Sequence, residues 1–212
     1  MSAGVYSDRG LFVCFEGGEG AGKSTQSRLL HDWLVEQGRT VLLTFEPGDT
    51  PVGKELRRIV LDPATGDLSD RTEALLYAAD KAEHVDHVVL PALARDEVVI
   101  TDRYVDSTLA YQGAGRTLAV AEVEAVARWA TGDLRPHLTV VLDLEPEAGL
   151  GRFDERDRIE GQSLEFHQRV RQGFLDLAAA DPDHYLVLDA REPIEELAAA
   201  IRARVEPLLG AR

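Results

Sequence analysis

The chain lacks residues that several classes of protein require. It has no asparagine, three lysines and one cysteine among its 212 residues. The single cysteine, Cys14, excludes an internal disulfide framework and a cysteine zinc site, and we expect it to lie buried in a strand. Lys and Arg total 23 against 38 Asp and Glu, which leaves a formal charge of −15. Such a chain should repel nucleic acid and anionic membranes unless its few cations are clustered.

Long apolar segments are also missing. No apolar run approaches the ~18 residues of a membrane span, and the N-terminal residues are short and polar, unlike a signal peptide. We therefore expect no membrane association and a cytoplasmic location. Hydrophobic residues make up 44% and charged residues 29% of the chain, which is ordinary globular usage and excludes disorder, collagen and a coiled-coil rod.

A regular alternation of strands and helices runs through the chain. The predicted strands are short and continuously apolar, which is typical of a parallel sheet covered by helices on both faces. No repeat, linker or break in composition marks a second domain, so the sequence predicts one α/β domain over residues 1–212. The five predicted strands are Leu11–Phe15, Thr40–Phe45, Glu97–Thr101, His137–Leu144 and Tyr185–Leu188.

Helices are predicted where apolar residues recur at helical spacing. One long helix should run over Arg71–Leu93 and end near Pro91, because proline interrupts a helix. A polar loop should precede it over Asp62–Asp70. The last helix should open at Pro193, in a first-turn position that proline favours. Further helices are predicted over Val52–Leu61, Leu118–Ala130 and Ser163–Ala179.

The strongest motif is Gly17-Gly18-Glu19-Gly20-Ala21-Gly22-Lys23-Ser24, which fits G-x-x-x-x-G-K-[ST] between a predicted strand and a predicted helix. Its glycines let backbone N–H groups turn inward toward phosphate oxygens, and the following helix adds the positive end of its dipole. Lys23 should reach the outer phosphates, and the Ser24 hydroxyl can ligate Mg²⁺. A glycine-rich turn with a chance lysine is the alternative. The motif predicts a nucleoside triphosphate with Mg²⁺, without defining the reaction.

A second charged element, Asp102-Arg103, follows the third predicted strand. In proteins with a phosphate loop, a carboxylate at the end of a strand beside the first strand organises Mg²⁺. Asp102 is therefore predicted to hold the metal together with Ser24, and Arg103 should face the phosphates. A surface salt bridge is the alternative.

The absence of asparagine excludes some classes of nucleotide-dependent protein. A GTPase would normally carry an Asn-Lys-x-Asp element for guanine, and a protein kinase needs an asparagine after its catalytic aspartate, so both classes are excluded. A motor would need coupling surfaces, which the sequence does not reveal. A kinase that acts on a phosphate needs no general base, since a monophosphate with a second pKa of ~6 is already ionised at neutral pH. It needs cations that bring two polyanions together.

Arginines supply local cations in this acidic chain. Arg152 and Arg156 are four residues apart and would share one helical face. The sharper interpretation is a mobile arginine lid over about 147–160 that closes on the triphosphate. A solvated charged helix is the alternative, because acidic residues intervene. The arginine clusters are Arg57-Arg58, Arg103, and Arg152 with Arg156 and Arg158.

Several ordered segments resemble bacterial thymidylate kinase over nearly the whole chain. They are the phosphate loop from Phe15 to Thr25, Glu46-Pro47-Gly48 with Leu56-Arg57, the helix over Arg71–Asp80, the segment Asp102–Gly113, and Asp157-Arg158-Ile159-Glu160. The resemblance implies a five-stranded parallel sheet of the P-loop NTPase type in three αβα layers. It also implies a homodimer that transfers the γ-phosphoryl of ATP to dTMP, giving dTDP and ADP, with Mg²⁺.

The resemblance also implies individual roles. Because the loop carries no arginine, Arg156 in the lid would supply the catalytic arginine, beside Lys23, Arg103 and Asp102. Arg57 and Arg103 would hold the phosphate of dTMP, and Gln112 would hydrogen-bond its pyrimidine. The residues implied in ATP binding are Gly17, Gly18, Glu19, Gly20, Ala21, Gly22, Lys23, Ser24, Thr25 and Arg152. Those implied in dTMP binding are Glu19, Glu46, Arg57, Tyr77, Lys81, Arg103, Thr108, Tyr111 and Gln112.

Four positions depart from the family pattern. Phe45 replaces an arginine, Tyr77 a phenylalanine and Thr108 a serine, and Lys81 replaces the arginine that reads the thymine carbonyl. A lysine is a point donor without the planar fork of arginine, whereas a phenol ring keeps its stacking face. Another pyrimidine deoxynucleotide as acceptor, or a nucleotide-binding module without transferase activity, remains the alternative function.

The residues implied on the base side also have ordinary structural alternatives. Tyr77 could pack in the core, Lys81 could lie on the surface, and Gln112 could cap the turn at Gly113. Tyr77 and Lys81 are one helical turn apart, which places both on one face of their helix.

Overall fold

Five parallel strands form the centre of the protein, whose computed structural model describes residues 4–116, 118–152 and 156–210. The spatial order is β2-β3-β1-β4-β5, and every neighbouring pair is parallel. The predicted parallel α/β sheet is therefore confirmed. The strands are β1 (Leu11–Gly17), β2 (Val41–Phe45), β3 (Val98–Asp102), β4 (Leu138–Asp143) and β5 (Tyr185–Asp189).

Helices connect the strands and cover the sheet. The long ones are α1 (Lys23–Glu36), α2 (Pro51–Leu61), α3 (Asp70–His84), α6 (Val120–Ala130), α8 (Leu164–Ala180) and α9 (Ile194–Gly210). The short ones are α4 (Leu90–Ala94), α5 (Val105–Thr108) and α7 (Pro146–Leu150). No helix within the described ranges is long and apolar enough to cross a lipid bilayer.

The central strand β1 is buried on both faces, which explains its continuous apolar sequence. Val13 and Phe15 point into a core formed with α1 and α9, which includes Leu30 and Ile201. The alternate residues Phe12 and Cys14 point into a second core, formed with Val89, Leu93 and Val123 from the other side of the sheet. Successive side chains of a strand face opposite ways, so both cores need apolar residues from the same short run. Cys14 is buried as expected, and burial raises the pKa of its thiol.

The long predicted helix differs from the expectation at its end. It continues past Pro91 to Ala94, because a π-helical segment over Val85–Val89 joins α3 to α4. The Leu90 N–H donates to the Val85 carbonyl five residues earlier, which widens the helix just before the proline. The continuous helical stretch from Asp70 to Ala94 thus agrees with the predicted bounds Arg71–Leu93 within one residue, although Pro91 itself does not end it.

Helical turns also form where the sequence predicted none. A 3₁₀ turn over Pro63–Thr65 interrupts the predicted polar loop, and a π-helical segment over Leu109–Gly115 extends α5. The predicted lid contains α7 and turns at Arg152 and over 158–161, while residues 153–155 lie outside the described ranges. Arg152 and Arg156 are not in a helix, so the predicted shared helical face is not formed.

The strand register brings three chain segments to one edge of the sheet. Phe15 of β1 and Phe45 of β2 are both aligned with Asp102 of β3. The carboxyl ends of these strands therefore meet, and ligands of open α/β sheets bind at this edge. The phosphate loop, Glu46 and Arg103 follow directly from these three strand ends.

Candidate active site

The phosphate loop joins β1 to the N-terminus of α1. Lys23 opens the helix, and its ammonium donates to the carbonyl oxygens of Gly17 at 3.1 Å and Gly18 at 2.8 Å. The side chain therefore folds back over its own loop. Burial, with the charge of Arg103 nearby, lowers the pKa of Lys23. The predicted strand–loop–helix context of the motif is present.

The loop is shaped by glycine and by the close approach of α7. Gly20 has a φ of +66°, and a Cβ at this position would lie 2.6 Å from the Gly149 carbonyl oxygen. Gly149 is equally constrained, since its own Cβ would lie 2.1 Å from the Glu19 carbonyl oxygen. Two backbones thus touch where any side chain would separate them. The first helix of the predicted lid packs directly on the phosphate loop.

Ser24 and Asp102, the two predicted metal ligands, are in contact. The Ser24 hydroxyl donates to Asp102 Oδ2 at 2.6 Å. A hydroxyl and a carboxylate are hard oxygen donors, and Mg²⁺ in phosphate-transfer sites takes one or two such protein ligands and keeps several waters. The pair therefore fits Mg²⁺. No group of three or more His, Cys, Asp or Glu residues that could hold a metal occurs within the described residues.

Arg103 is held rigidly at the end of β3. Its φ of +72° lies in the left-handed region, which non-glycine residues rarely adopt and which clusters at functional sites. Its guanidinium donates to both carboxylate oxygens of Glu19 at 2.9 Å and to Ser107 Oγ at 3.1 Å. Burial alone would raise the pKa of Glu19, but the charges of Arg103 and Lys23 and the hydrogen bond from Tyr111 together outweigh burial and lower it to about 2. Tyr111 also donates to Glu19, at 2.6 Å.

Two cavities open beside this arginine. A larger cavity of about 540 Å³ runs along the phosphate loop, and a smaller one of about 140 Å³ reaches toward α3. We call them the donor-side and acceptor-side cavities. Glu19, Glu46, Arg57 and Arg103 line both cavities. The donor-side cavity is also lined by Gly20, Ala21, Gly22, Lys23, Ser24, Thr25, Ser27, Arg28, Leu43, Thr44, Phe45 and Asp102.

The acceptor-side cavity collects most of the residues implied in dTMP binding. Its further lining residues are Pro47, Leu61, Tyr77, Ser107, Thr108, Tyr111, Gln112, Asp157, Ile159 and Glu160. Tyr77 is half-buried and forms part of the wall, so it is not a core residue. The Thr108 hydroxyl is buried without a hydrogen-bond partner among the described residues, which is costly unless a ligand supplies one.

Lys81 lies outside both cavity linings. Its ammonium is 2.9 Å from Glu46 Oε2 in an ion pair buried beneath the cavities, and 6.0 Å from the centroid of the Tyr77 ring. Burial opposes ionisation of Glu46, yet the charges and hydrogen bonds of Lys81 and His84 together outweigh it and lower the pKa of Glu46. His84 also contacts Glu46, through Nδ1 at 2.8 Å from Oε1. Lys81 is thus neither a surface lysine nor placed as a donor in the wall around the base.

Arg57 takes its position from the loop after β2. Its guanidinium donates to the Pro47 carbonyl at 2.7 Å and lies 5.8 Å from the centroid of the Phe45 ring. The aromatic ring that replaces an arginine therefore supports the neighbouring cation. Arg57 faces the space shared by the two cavities.

Of the two lid arginines predicted to act on ATP, Arg152 contacts the phosphate loop, whereas Arg156 contacts the lid itself. Arg152 Nη1 donates to the Gly20 carbonyl at 2.6 Å, and Arg156 Nη2 lies 3.5 Å from the Leu150 carbonyl oxygen. Arg158 instead turns away, forming an ion pair with buried Glu73 and donating to the Val60 carbonyl at 2.8 Å.

Sequence reasoning missed three polar residues of the acceptor-side cavity. Asp157 and Glu160 line the acceptor-side cavity, and Ser107 links Arg103 to a buried carboxylate, Glu16, on β1. The first two belong to a segment that resembles the family, so that resemblance was the available signal. Ser107 also lies in such a segment, Asp102–Gly113, but its contacts span residues distant in the chain and could not be read from the sequence.

Comparison with known proteins identifies the family. Residues 15–201 match the model of a family described as thymidylate kinase. A thymidylate kinase of Cutibacterium acnes is 57% identical over 200 residues, which cover 94% of this chain and 98% of the relative. A thymidylate kinase of Clavibacter sepedonicus is 53% identical over 206 residues, which cover 95% of this chain and 97% of the relative. The crystal structure of thymidylate kinase from Ehrlichia chaffeensis superposes with a TM-score of 0.79 at 29% identity, over 93% of this chain and 99% of that chain.

The matches agree in family and extend over nearly the whole length of each relative. The parallel sheet, the phosphate loop and the adjoining pair of cavities are the architecture that such an enzyme needs. The chain belongs to the thymidylate kinase family, and its activity is the phosphorylation of dTMP with ATP as the donor.

Proposed function

We propose that ATP binds in the donor-side cavity and dTMP in the acceptor-side cavity, with their phosphates meeting at Arg103 and Arg57. The observation that supports this arrangement is the set of four residues lining both cavities, two of which are arginines. Two polyanions repel one another, so the place where they meet needs fixed positive charge. In a chain of net charge −15, these arginines supply it locally.

Transfer of the phosphoryl group requires charge stabilisation rather than a base. The acceptor phosphate of dTMP is ionised at neutral pH and attacks directly. Lys23 and Arg103 contact the transferring phosphoryl and stabilise the charge that spreads over its oxygens. Lys23 leaves the loop carbonyls for the phosphates when ATP binds, since an anion is a better partner than a neutral carbonyl.

Ser24 and Asp102 would hold Mg²⁺. When bound, the ion neutralises charge on the triphosphate. Glycines and N–H groups from Gly17 to Thr25 surround the phosphates from the other side. Asp102 and the Ser24 hydroxyl stay close together because β3 pairs directly with β1.

The base of dTMP lies at the far end of the acceptor-side cavity. Tyr77 offers its ring face for stacking, and Thr108 offers the unpartnered hydroxyl. Gln112 hydrogen-bonds the pyrimidine edge. Tyr111 and Glu19 hold Arg103 in place, and Lys81 acts on the site through Glu46.

The lid completes the donor side. Arg156 reaches the transferring phosphoryl on closure and supplies the catalytic arginine that the phosphate loop lacks, and Arg152 contacts ATP beside Gly20. We further propose that one domain carries the reaction, that the protein acts as a homodimer, and that it works in the cytoplasm.

A coupled assay of ADP release over four acceptors, dTMP, dUMP, dCMP and dGMP, tests this arrangement. We expect turnover to be highest with dTMP. Lys23→Ala should lower kcat by about 10²–10³-fold, because it removes a donor aimed at the transition state. The matched control is Lys54→Ala, an exposed lysine on α2, which should retain full activity. A fall of less than about tenfold for Lys23→Ala would remove the phosphate-loop assignment.

A further inference from the structure

A buried carboxylate holds the amide of Gln112. Gln112 Nε2 donates to Glu73 Oε1 at 2.9 Å, and the two side chains are 2% and 0% exposed. Glu73 lies on α3, one turn before Tyr77, and Gln112 lies in the π-helical segment that follows α5. The contact thus joins two elements that face each other across the acceptor-side cavity.

Two arginines keep Glu73 ionised. Arg116 donates to Oε1 and to Oε2 at 3.0 Å each, and Arg158 pairs with Oε2. Burial would raise the pKa of Glu73, but the hydrogen bonds from Arg116, Gln112 and Arg158 and the charge of Arg116 together outweigh it and lower the pKa. An ionised carboxylate has no hydrogen to donate, so only the NH₂ end of the Gln112 amide can face it.

This assignment leaves a defined edge of Gln112 for the cavity. With one N–H engaged by Glu73, the amide retains its carbonyl oxygen and one further N–H. Thymine and uracil carry a hydrogen on N3 beside the O4 acceptor, which this edge complements. Cytosine carries an acceptor at N3 beside the N4 amino group. Against the same edge of Gln112, acceptor would face acceptor at N3 and donor would face donor at N4. Reversing the amide would reverse the preference.

We infer that Glu73 is a positioning residue that fixes the Gln112 amide and thereby selects pyrimidines with a hydrogen on N3 over cytosine. The inference rests on the proposed placement of the base against Gln112. Lys81, which could otherwise favour the O4 carbonyl, is engaged with Glu46. Discrimination against cytosine is therefore concentrated in one amide whose orientation is set from behind the cavity.

The test compares kcat/KM for dTMP and dCMP in the full chain. Glu73→Gln keeps the side-chain shape but can donate as well as accept, so the Gln112 amide is free to reverse. We expect the ratio of kcat/KM for dTMP to that for dCMP to fall by about tenfold or more. The reversed amide can pair with cytosine, so cytosine no longer leaves buried polar groups unpaired. Wild-type protein should not phosphorylate N3-methyl-dTMP, which lacks the hydrogen.

A matched control separates orientation from stability. Arg116→Lys removes the two-point contact of one arginine with Glu73 but keeps a positive charge beside the carboxylate, and it leaves the contact with Gln112 in place. We expect a lower free energy of unfolding. The ratio of kcat/KM for dTMP to that for dCMP should stay within about threefold of wild type, because a general loss of stability weakens binding of both nucleotides alike. An equal fall of the ratio in Arg116→Lys would overturn the inference.

Gln112→Ala separates failure of the proposed contact between Gln112 and the base from failure of the role inferred for Glu73. If this variant keeps the wild-type ratio, the proposed contact with the base is wrong and the inference is lost with it. If Gln112→Ala lowers the ratio but Glu73→Gln does not, only the inference is overturned. In the Gln112→Ala background, Glu73→Gln should have no further effect on the ratio. Should Glu73→Gln fail to fold, Glu73→Asp replaces it: this variant keeps the charge but shortens the reach, and an unchanged ratio would overturn the inference.

Discussion

The ammonium of Lys81 lies 2.9 Å from Glu46 Oε2, and both side chains are almost wholly buried. This ion pair connects α3 to the loop after β2, where Glu46 borders both cavities. The resemblance to thymidylate kinases implied that this lysine would contact the base. Its ammonium is instead paired with a carboxylate that would otherwise be buried with fewer partners. In this structure Lys81 therefore supports a residue of the site and does not line either cavity.

Lys81→Met should lower the free energy of unfolding by about 3 kcal/mol, because it leaves one member of a buried ion pair without its partner. The matched control is Lys54→Met, an exposed lysine that should change stability by less than about 0.5 kcal/mol. Urea denaturation at pH 7 measures both. A loss below about 1 kcal/mol for Lys81→Met would show that His84 alone satisfies Glu46.

Adjacent arginines on α2 offer a paired test of acceptor binding. Both are exposed, but Arg57 lines both cavities, whereas Arg58 lines neither and lies 3.4 Å from Glu55. Arg57→Ala should raise KM for dTMP by about tenfold or more, as expected for loss of a charged hydrogen bond. Arg58→Ala should leave KM within about twofold, since exposed ion pairs contribute little. Equal effects of the two substitutions would contradict the assignment.

Arg156→Ala tests the lid. An arginine that contacts the phosphoryl group only in the transition state should lower kcat, by about 10²-fold, with little change in KM for either nucleotide. Arg152→Ala should mainly raise KM for ATP, because Arg152 already lies against the phosphate loop. Steady-state kinetics with each nucleotide varied in turn separates the two outcomes. A rise in KM with unchanged kcat for Arg156→Ala would assign it to ground-state binding.

Glu16 should make stability depend on pH. Burial, with the nearby Asp106 carboxylate, raises its pKa to about 7 from an ordinary value of 4.5. Between these pH values the folded protein holds a proton that the unfolded chain has released. The contribution of Glu16 to stability is therefore present below pH 4.5 and is lost as pH rises to about 7.

Glu16→Gln removes that titration while keeping the side-chain shape. Oε1 of the new amide can still accept from the Tyr104 and Ser107 N–H groups, and its NH₂ can face the Ser107 hydroxyl. From pH 5 to pH 8, the stability of the variant relative to wild type should rise by roughly 2–3 kcal/mol. Denaturant unfolding of both proteins at the two pH values measures this difference, and a constant difference would contradict the raised pKa.

Much of the fold followed from local pattern. All five strands lie within one or two residues of the predicted ends, because continuous apolar runs between turn residues have few alternatives to a buried strand. The π-helical segments were not predictable in this way. They depend on i to i−5 hydrogen bonds that form where local packing requires them, as next to Pro91. Such short segments leave no periodic pattern of apolar residues in the sequence.

The sequence by itself determined the chemistry that is local in the chain: a phosphate loop between strand and helix, a carboxylate and an arginine at a strand end, and the absence of asparagine. Only the tertiary structure decided the partners of charged side chains. Lys81 contacts Glu46 and Gln112 contacts Glu73 across 35 and 39 positions of sequence. Buried polar groups must find partners wherever the fold provides them, so these choices depend on three-dimensional proximity and not on spacing along the chain.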